Sequence, residues 1–459
     1  MRNYELRITN YAASFLAASL FFLFTAYCLP LTVRAQINSG AQQNVMGEAG
    51  NFLLQNARIF PVASAPVENG FVEIRAGKIA RVGAGAGGQA SADVKVIDLK
   101  GANVYPGMID ASTNIGLVEV PLGAPGTDDE SEIGDMNPNA RAIVAVNPHS
   151  AYVNVTRNNG VAATLTMPQG GVISGQAAVI NLLGSTPDEM AITPAFGLVI
   201  NYPRVSTFAG FGQGQIDFNE AVKRRDKRLE DLRKILTDAA AYAKTQDAYA
   251  ADSKLPRPNT NLKLAALAPY IRGEKPVIFV VDREVDIRNM VKFADEMKLK
   301  AIIMGGNDAW KTADLLRQKN IPVILTGVWS LPARDDDFYD VLFENAAKLQ
   351  KAGVKFCVAT GDNGANSRDL PYQAGMTAAY GLSKEDALKS VTLYPAQILG
   401  VSDRLGSIET GKTANLVVTD GDILEPTTHV LHLFIAGRKL PLTSRQTELY
   451  EQFKDRKIK

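Results

Sequence analysis

Histidine is scarce in this chain, with three in 459: His149, His429 and His432. A catalytic zinc centre built on several imidazoles would need nearly all of them in one place. Their settings argue against that. His149 lies in the loop signal Asn147–Pro148–His149–Ser150, and the other two fall in a C-terminal β-rich block. Cysteine is as rare. Of Cys28 and Cys357, the first sits in a segment expected to be removed, so the mature chain forms no internal disulfide. A chain of this size has enough core without one. Charge of one sign is lacking too: 49 basic against 48 acidic residues leaves a net +1, with no footprint for nucleic acid or an anionic membrane. Beyond the first 35 residues no apolar run is long enough to span a bilayer. No Gly-x-Ser-x-Gly elbow occurs. The Gly-rich Gly83–Ala84–Gly85–Ala86–Gly87–Gly88 lacks a phosphate-loop lysine and reads as a flexible hairpin.

What is present begins with an export signal. Arg2 and Arg7 precede an apolar stretch from Ala12 to Leu31, and Val33–Arg34–Ala35 supplies small residues for cleavage before Gln36. Residues 1–35 are therefore expected to be a signal peptide, and the protein periplasmic or extracellular. A retained anchor helix is the competing reading. A lipid anchor on Cys28 is disfavoured by the bulky Tyr27 before it. Residues 36–50 are a Gly/Gln/Ser/Asn-rich lead-in.

Residues 51–103 then read as short strands, with Ala76–Gly77 as a hairpin turn. From 104 to 400 the pattern changes to strands alternating with helices. Apolar runs at 161–167, 178–183, 197–201, 277–281, 301–304, 323–326 and 355–360 suit strands buried on both faces of a parallel sheet. This many strand–helix units favour a closed barrel. Residues 219–254 read as a solvated amphipathic helix in a barrel loop. Cys357, within an apolar run, reads as a packing residue. Residues 401–443 return to β structure and are expected to join the first block, leaving 444–459 as a polar tail. The expected fold is α/β: a TIM-like (β/α)8 barrel with a small β-sandwich domain built from N- and C-terminal segments.

Three motifs in order carry a family resemblance. The first is Val104–Tyr105–Pro106–Gly107–Met108–Ile109–Asp110. The second is Gly381–Leu382–Ser383–Lys384–Glu385–Asp386–Ala387–Leu388 with Tyr394–Pro395–Ala396. The third is Leu405–Gly406–Ser407–Ile408–Glu409, continuing through Gly411–Lys412–Thr413–Ala414–Asn415 into Leu416–Val417–Val418. Together they bracket roughly residues 51–440, and the chain resembles the amidohydrolase superfamily of metal-dependent hydrolases. Val172–Ile173–Ser174–Gly175–Gln176 and Gly305–Gly306 make it most similar to the imidazolonepropionase-like branch.

The resemblance implies zinc or another divalent metal at the C-terminal ends of the barrel strands, activating water for hydrolysis. It also implies a ligand at each of several strand ends. Ser112 and Asn114 stand where strand one would carry His-x-His, Val280 or Val281 where strand five would carry histidine, and Asn307 where strand six would. Gly197–Asn201 offers no lysine or glutamate on strand four. Only Asp362, the strand-eight acid that handles the proton of the attacking water, matches, and it is the one expected catalytic residue. Hydroxyl and amide oxygens are poor zinc ligands beside imidazole. No metal is therefore expected at this set. The competing idea is a hard ion held by Asp110, Asp282, Asp308 and Asp362. Asp282 and Asp308 are otherwise expected to pair with Arg283 or Lys311.

Two functions follow. One is an exported amidohydrolase-family hydrolase of non-peptide carbon–nitrogen bonds with a degraded metal site. The other is a non-catalytic relative binding a small molecule or a partner protein at the barrel mouth. The sequence leaves room for a small-molecule ligand and a homo-oligomer, and expects no nucleic acid and no membrane span after cleavage.

Overall fold

The computed structural model describes residues 46–88, 91–119, 129–208, 214–332, 334–361 and 364–456. The expected signal peptide, and the lead-in as far as residue 45, lie outside the described residues. Sixteen strands are described. The first five are β1 (Asn51–Ile59), β2 (Val67–Arg75), β3 (Lys78–Ala84), β4 (Val94–Asp98) and β5 (Asn103–Pro106). The barrel strands are β6 (Met108–Thr113), β7 (Val161–Thr166), β8 (Ile173–Asn181), β9 (Ala191–Asn201), β10 (Val277–Val281), β11 (Ala301–Gly305), β12 (Val323–Leu325) and β13 (Phe356–Val358). The chain ends with β14 (Leu416–Thr419), β15 (Val430–Ile435) and β16 (Arg438–Leu440).

Strands from both ends of the chain make one sheet, in the order β16-β15-β14-β5-β1-β2-β3, with β4 also paired to β1. Instead of two separate sheets facing each other, this one sheet coils over on itself. Its twist brings Phe52 of β1 edge-on to Phe434 of β15, ring centroids 5.3 Å apart, although two strands separate them in the ladder. Two matching turns close the roll. Ala76–Gly77 and Ala436–Gly437 each take left-handed φ at both positions, the geometry of a two-residue hairpin. The turns pack on each other so tightly that a Cβ on Gly437 would lie 2.5 Å from the Gly77 Cα.

The second sheet runs β6 through β13 in sequence order and is a nearly closed TIM-like barrel. Its interior is apolar. Ile109 and Ala111, Leu165 and Met167, Ile278 and Val280, Ile302 and Met304, and Cys357 and Ala359 supply alternate positions from five strands. The opposite face of the same strands packs under the surrounding helices. Cys357 is buried, and burial pushes its thiol up, as suits a packing residue.

One strand departs from parallel winding. β8 is antiparallel to both β7 and β9. The cause is local. A parallel return needs a crossover of a dozen residues or so, and the β7–β8 link spans only 167–172. Gly170 and Gly171, both with positive φ, turn it straight back.

Between β9 and β10 lies helix α1 (Phe218–Ala251), followed by α2 (Leu262–Ile271). Asp217 caps α1 by accepting from the Asn219 and Glu220 amides. Leu232, Leu236, Ala239 and Ala243 form its buried stripe. Exposed pairs such as Lys227–Asp231 and Lys234–Asp238 cover the rest. The charge of this segment is thus a solvated helix face.

Candidate functional site at the barrel mouth

The C-terminal ends of the parallel strands open on one face. Because β8 runs backwards, its first residues reach the same end: Asn201 at the close of β9 donates to Ser174 Oγ at 3.1 Å and to the Gly171 carbonyl at 2.9 Å.

At the end of β6 the pairing with β7 shifts register between Asp110 and Thr113. This irregularity aims Ser112 inward, where its Oγ lies 3.4 Å from Met304 Sδ. Met304 is paired across the ladder with Val280, which places Val280 on the strand beside the residue that Ser112 meets. Asn114 is spent at both ends. Its Oδ1 accepts the Gly364 amide at 2.7 Å, and its Nδ2 donates to Glu130 Oε2 at 2.9 Å. It therefore staples the end of β6 to the segment after β13. Asn307 sits farther along its loop. Its side-chain oxygen packs against Gly327, where an added Cβ would displace it, and its carbonyl accepts from Asn345 Nδ2 at 3.3 Å. Asp362 lies outside the described residues.

The acidic residues are also accounted for individually. Asp110 is wholly buried and joins the first barrel strand to the last. Its Oδ1 accepts the Thr360 amide at 3.1 Å, and its Oδ2 accepts the Thr360 hydroxyl. Desolvation raises its pKa to about 7, against the opposing hydrogen bonds from Thr360 and Ser112. Burial likewise raises Asp282, partly offset by the Asn307 amide. For Asp308 burial is outweighed by hydrogen bonds from Arg334 and Lys311, and the carboxyl is held below its usual range. Arg334 reaches it from the β12 loop at 2.8 Å and Lys311 from its own turn at 2.9 Å.

These partners decide the fit to a divalent ion. Zinc takes thiolate, imidazole or carboxylate donors in a tetrahedral set. Here the Asn114 oxygen faces an amide, the Ser112 hydroxyl faces a thioether, and the valines offer nothing. Among the described residues, no group of three His, Cys, Asp or Glu is placed to hold a metal. His429, just before β15, is engaged by Asp420 at 3.0 Å, and His432 belongs to β15 in the first sheet. The donor set described at the mouth does not fit zinc. Of the described acids, Asp110 is tied to Thr360 at the β6–β13 seam and Asp308 to two cations, and no three acids are grouped to hold a hard ion among the described residues.

A family model described as the amidohydrolase family matches residues 280–459. The crystal structure of an amidohydrolase from Thermotoga maritima MSB8 superposes with a TM-score of 0.75 at 26% identity, covering 85% of this chain and 99% of that one. The chain is similar to the amidohydrolase superfamily in both sequence and fold. Amidohydrolase tasK of Hapsidospora irregularis is 25% identical over 361 residues. The match takes in 72% of this chain but 36% of that protein, so the chain spans about a third of this relative's length. A prolidase crystallised with N-methylphosphonate-L-proline shares the fold, with a TM-score of 0.54 at 17% identity over 85% of this chain and 99% of that one.

Set on this amidohydrolase scaffold, four residues matter that the sequence did not single out: Met304, Thr360, Glu130 and Arg334. Thr360 precedes the Gly–Asp pair at the end of the last strand, and that position was a usable signal. Arg334 had none, since its partner Asp308 lies 26 residues away in another loop.

Proposed function

We propose that this is an exported amidohydrolase-family hydrolase acting on non-peptide carbon–nitrogen bonds, with a mouth that has lost the family's histidine ligands. Similarity to the amidohydrolase superfamily supports the hydrolase scaffold. The engagement of Asn114 at both ends supports the altered site, because an amide oxygen already holding the Gly364 amide is poorly placed to ligate an ion. Export rests on the charged start, apolar run and small-residue cleavage site of residues 1–35. Placement in the imidazolonepropionase-like branch rests on the sequence segments around Ser174 and Gly305.

A second reading has its own observation. Ser112 donates to the Met304 thioether and Val280 is its ladder neighbour, so this stretch of the inner mouth offers no nucleophile-activating base among the described residues. That suits a non-catalytic protein binding a small molecule or a partner. Assays of the mature chain on cyclic and acyclic amides, with and without a chelator, separate the two. Turnover unaffected by the chelator supports a hydrolase working without the ion. No turnover across the panel supports the binding protein, and turnover abolished by the chelator overturns the altered site.

Restoring histidines with S112H/N114H is expected to give no zinc-dependent activity, because Val280 and Asn307 still leave the facing strands without ligands. Measurable zinc-dependent hydrolysis by that variant would contradict this.

A further inference from the structure

A cavity of about 900 Å3 opens at the end of the barrel opposite the mouth, where β10 to β13 begin. Phe196, Ile302, Pro322, Phe356 and Ile398 give it an apolar patch, beside polar side chains such as Gln350 and Gln397. Phe196 and Ile302 also belong to the barrel interior, so the cavity reaches the core rather than resting on helices. Its rim is cationic. Lys300 stands immediately before β11 and Lys355 immediately before β13, on either side of Pro322 at the start of β12. Adjacent strands lie about 4.8 Å apart, so the two lysines leave the sheet about 10 Å from each other, within reach of a shared anion. A third rim lysine, Lys319, is already committed to Asp295 at 2.6 Å. Lys300 and Lys355 are exposed and have no ion-pair partner among the described residues.

We infer that this cavity is a second binding site, for a small organic carboxylate with an apolar body. The volume is that of small-molecule sites, and the apolar patch beside convergent polar groups suits an amphipathic ligand. The apolar body displaces water from the Phe196–Ile302 wall. The carboxylate lies between the two ammonium groups. The site is independent of the mouth and of any hydrolysis there.

Calorimetric titration of the mature chain with 4-phenylbutyrate, and with the isosteric neutral amide 4-phenylbutanamide, tests it. One carboxylate should bind per chain, about fivefold more tightly than the amide, the equivalent of two solvent-screened ion pairs. In K300Q/K355Q, which alters only exposed side chains, the preference for the carboxylate should vanish while the amide binds as before. Failure of the carboxylate to saturate at millimolar concentration, or an undiminished preference in the double variant, would overturn the site.

Discussion

Replacing Asp110 with asparagine is expected to stabilise the protein by about 4 kcal/mol at pH 8 and by almost nothing at pH 3.5. The folded-state pKa of about 7 stands above the ordinary 3.8 because the carboxyl is fully desolvated at the β6–β13 seam. Below pH 3.8 it is neutral both folded and unfolded, and folding carries no electrostatic cost. As the pH rises, the unfolded chain releases its proton first while the folded chain holds its own. Stability therefore falls steadily until the folded group also ionises near pH 7. The interval of roughly three pH units corresponds to about 4 kcal/mol. Asparagine has no proton to lose. Its oxygen can accept from the Thr360 amide, and its NH2 can donate to the Thr360 hydroxyl once that rotates. Urea unfolding of both proteins at several pH values measures the difference. A gap that stays constant with pH would show that Asp110 is not the group responsible.

Phe279→Ala is expected to cost about 3–5 kcal/mol, the usual loss for deleting a buried aromatic ring. Phe279 sits in the middle of β10 with no exposed surface, on the face covered by helices. Its ring meets Tyr202 edge-on at 6.3 Å, and Tyr202 in turn meets Phe293 of the next helix at 6.0 Å. Removing it empties the joint between strand and helix, and close-packed neighbours collapse into such a hole only in part. Phe279→Leu keeps most of the volume and should cost about 1–1.5 kcal/mol. The shift of the urea midpoint reads both, and an alanine variant as stable as its parent would show that this joint does not hold the barrel together.

Much of this architecture could be read along the chain because parallel strands buried on both faces leave continuous apolar runs. Val277–Val281 was identified to the residue, and the charged stretch from 219 onward is a solvated helix whose buried leucines keep helical spacing. The direction of β8 was not legible in its own residues. It follows from the shortness of the link before it and the two glycines there. The coiling of the first sheet was also hidden, since it depends on Phe52 meeting a ring 382 positions later. At the mouth, motif register identified Ser112 and Asn114, while their partners Met304, Glu130 and Gly364 come from distant loops and strands that only folding brings together.

Whether the barrel mouth holds a divalent ion is best tested by elemental analysis of the purified protein. The protein would be produced in medium supplemented with zinc, manganese and iron, then desalted without chelator. Metal content well below one equivalent per chain is the expected result, because Asn114 is engaged at both ends, Val280 has no donor, and the Ser112 hydroxyl and Asn307 amide are poor ligands beside imidazole. A stoichiometric ion that a chelator removes, and that returns on adding back the metal, would contradict it.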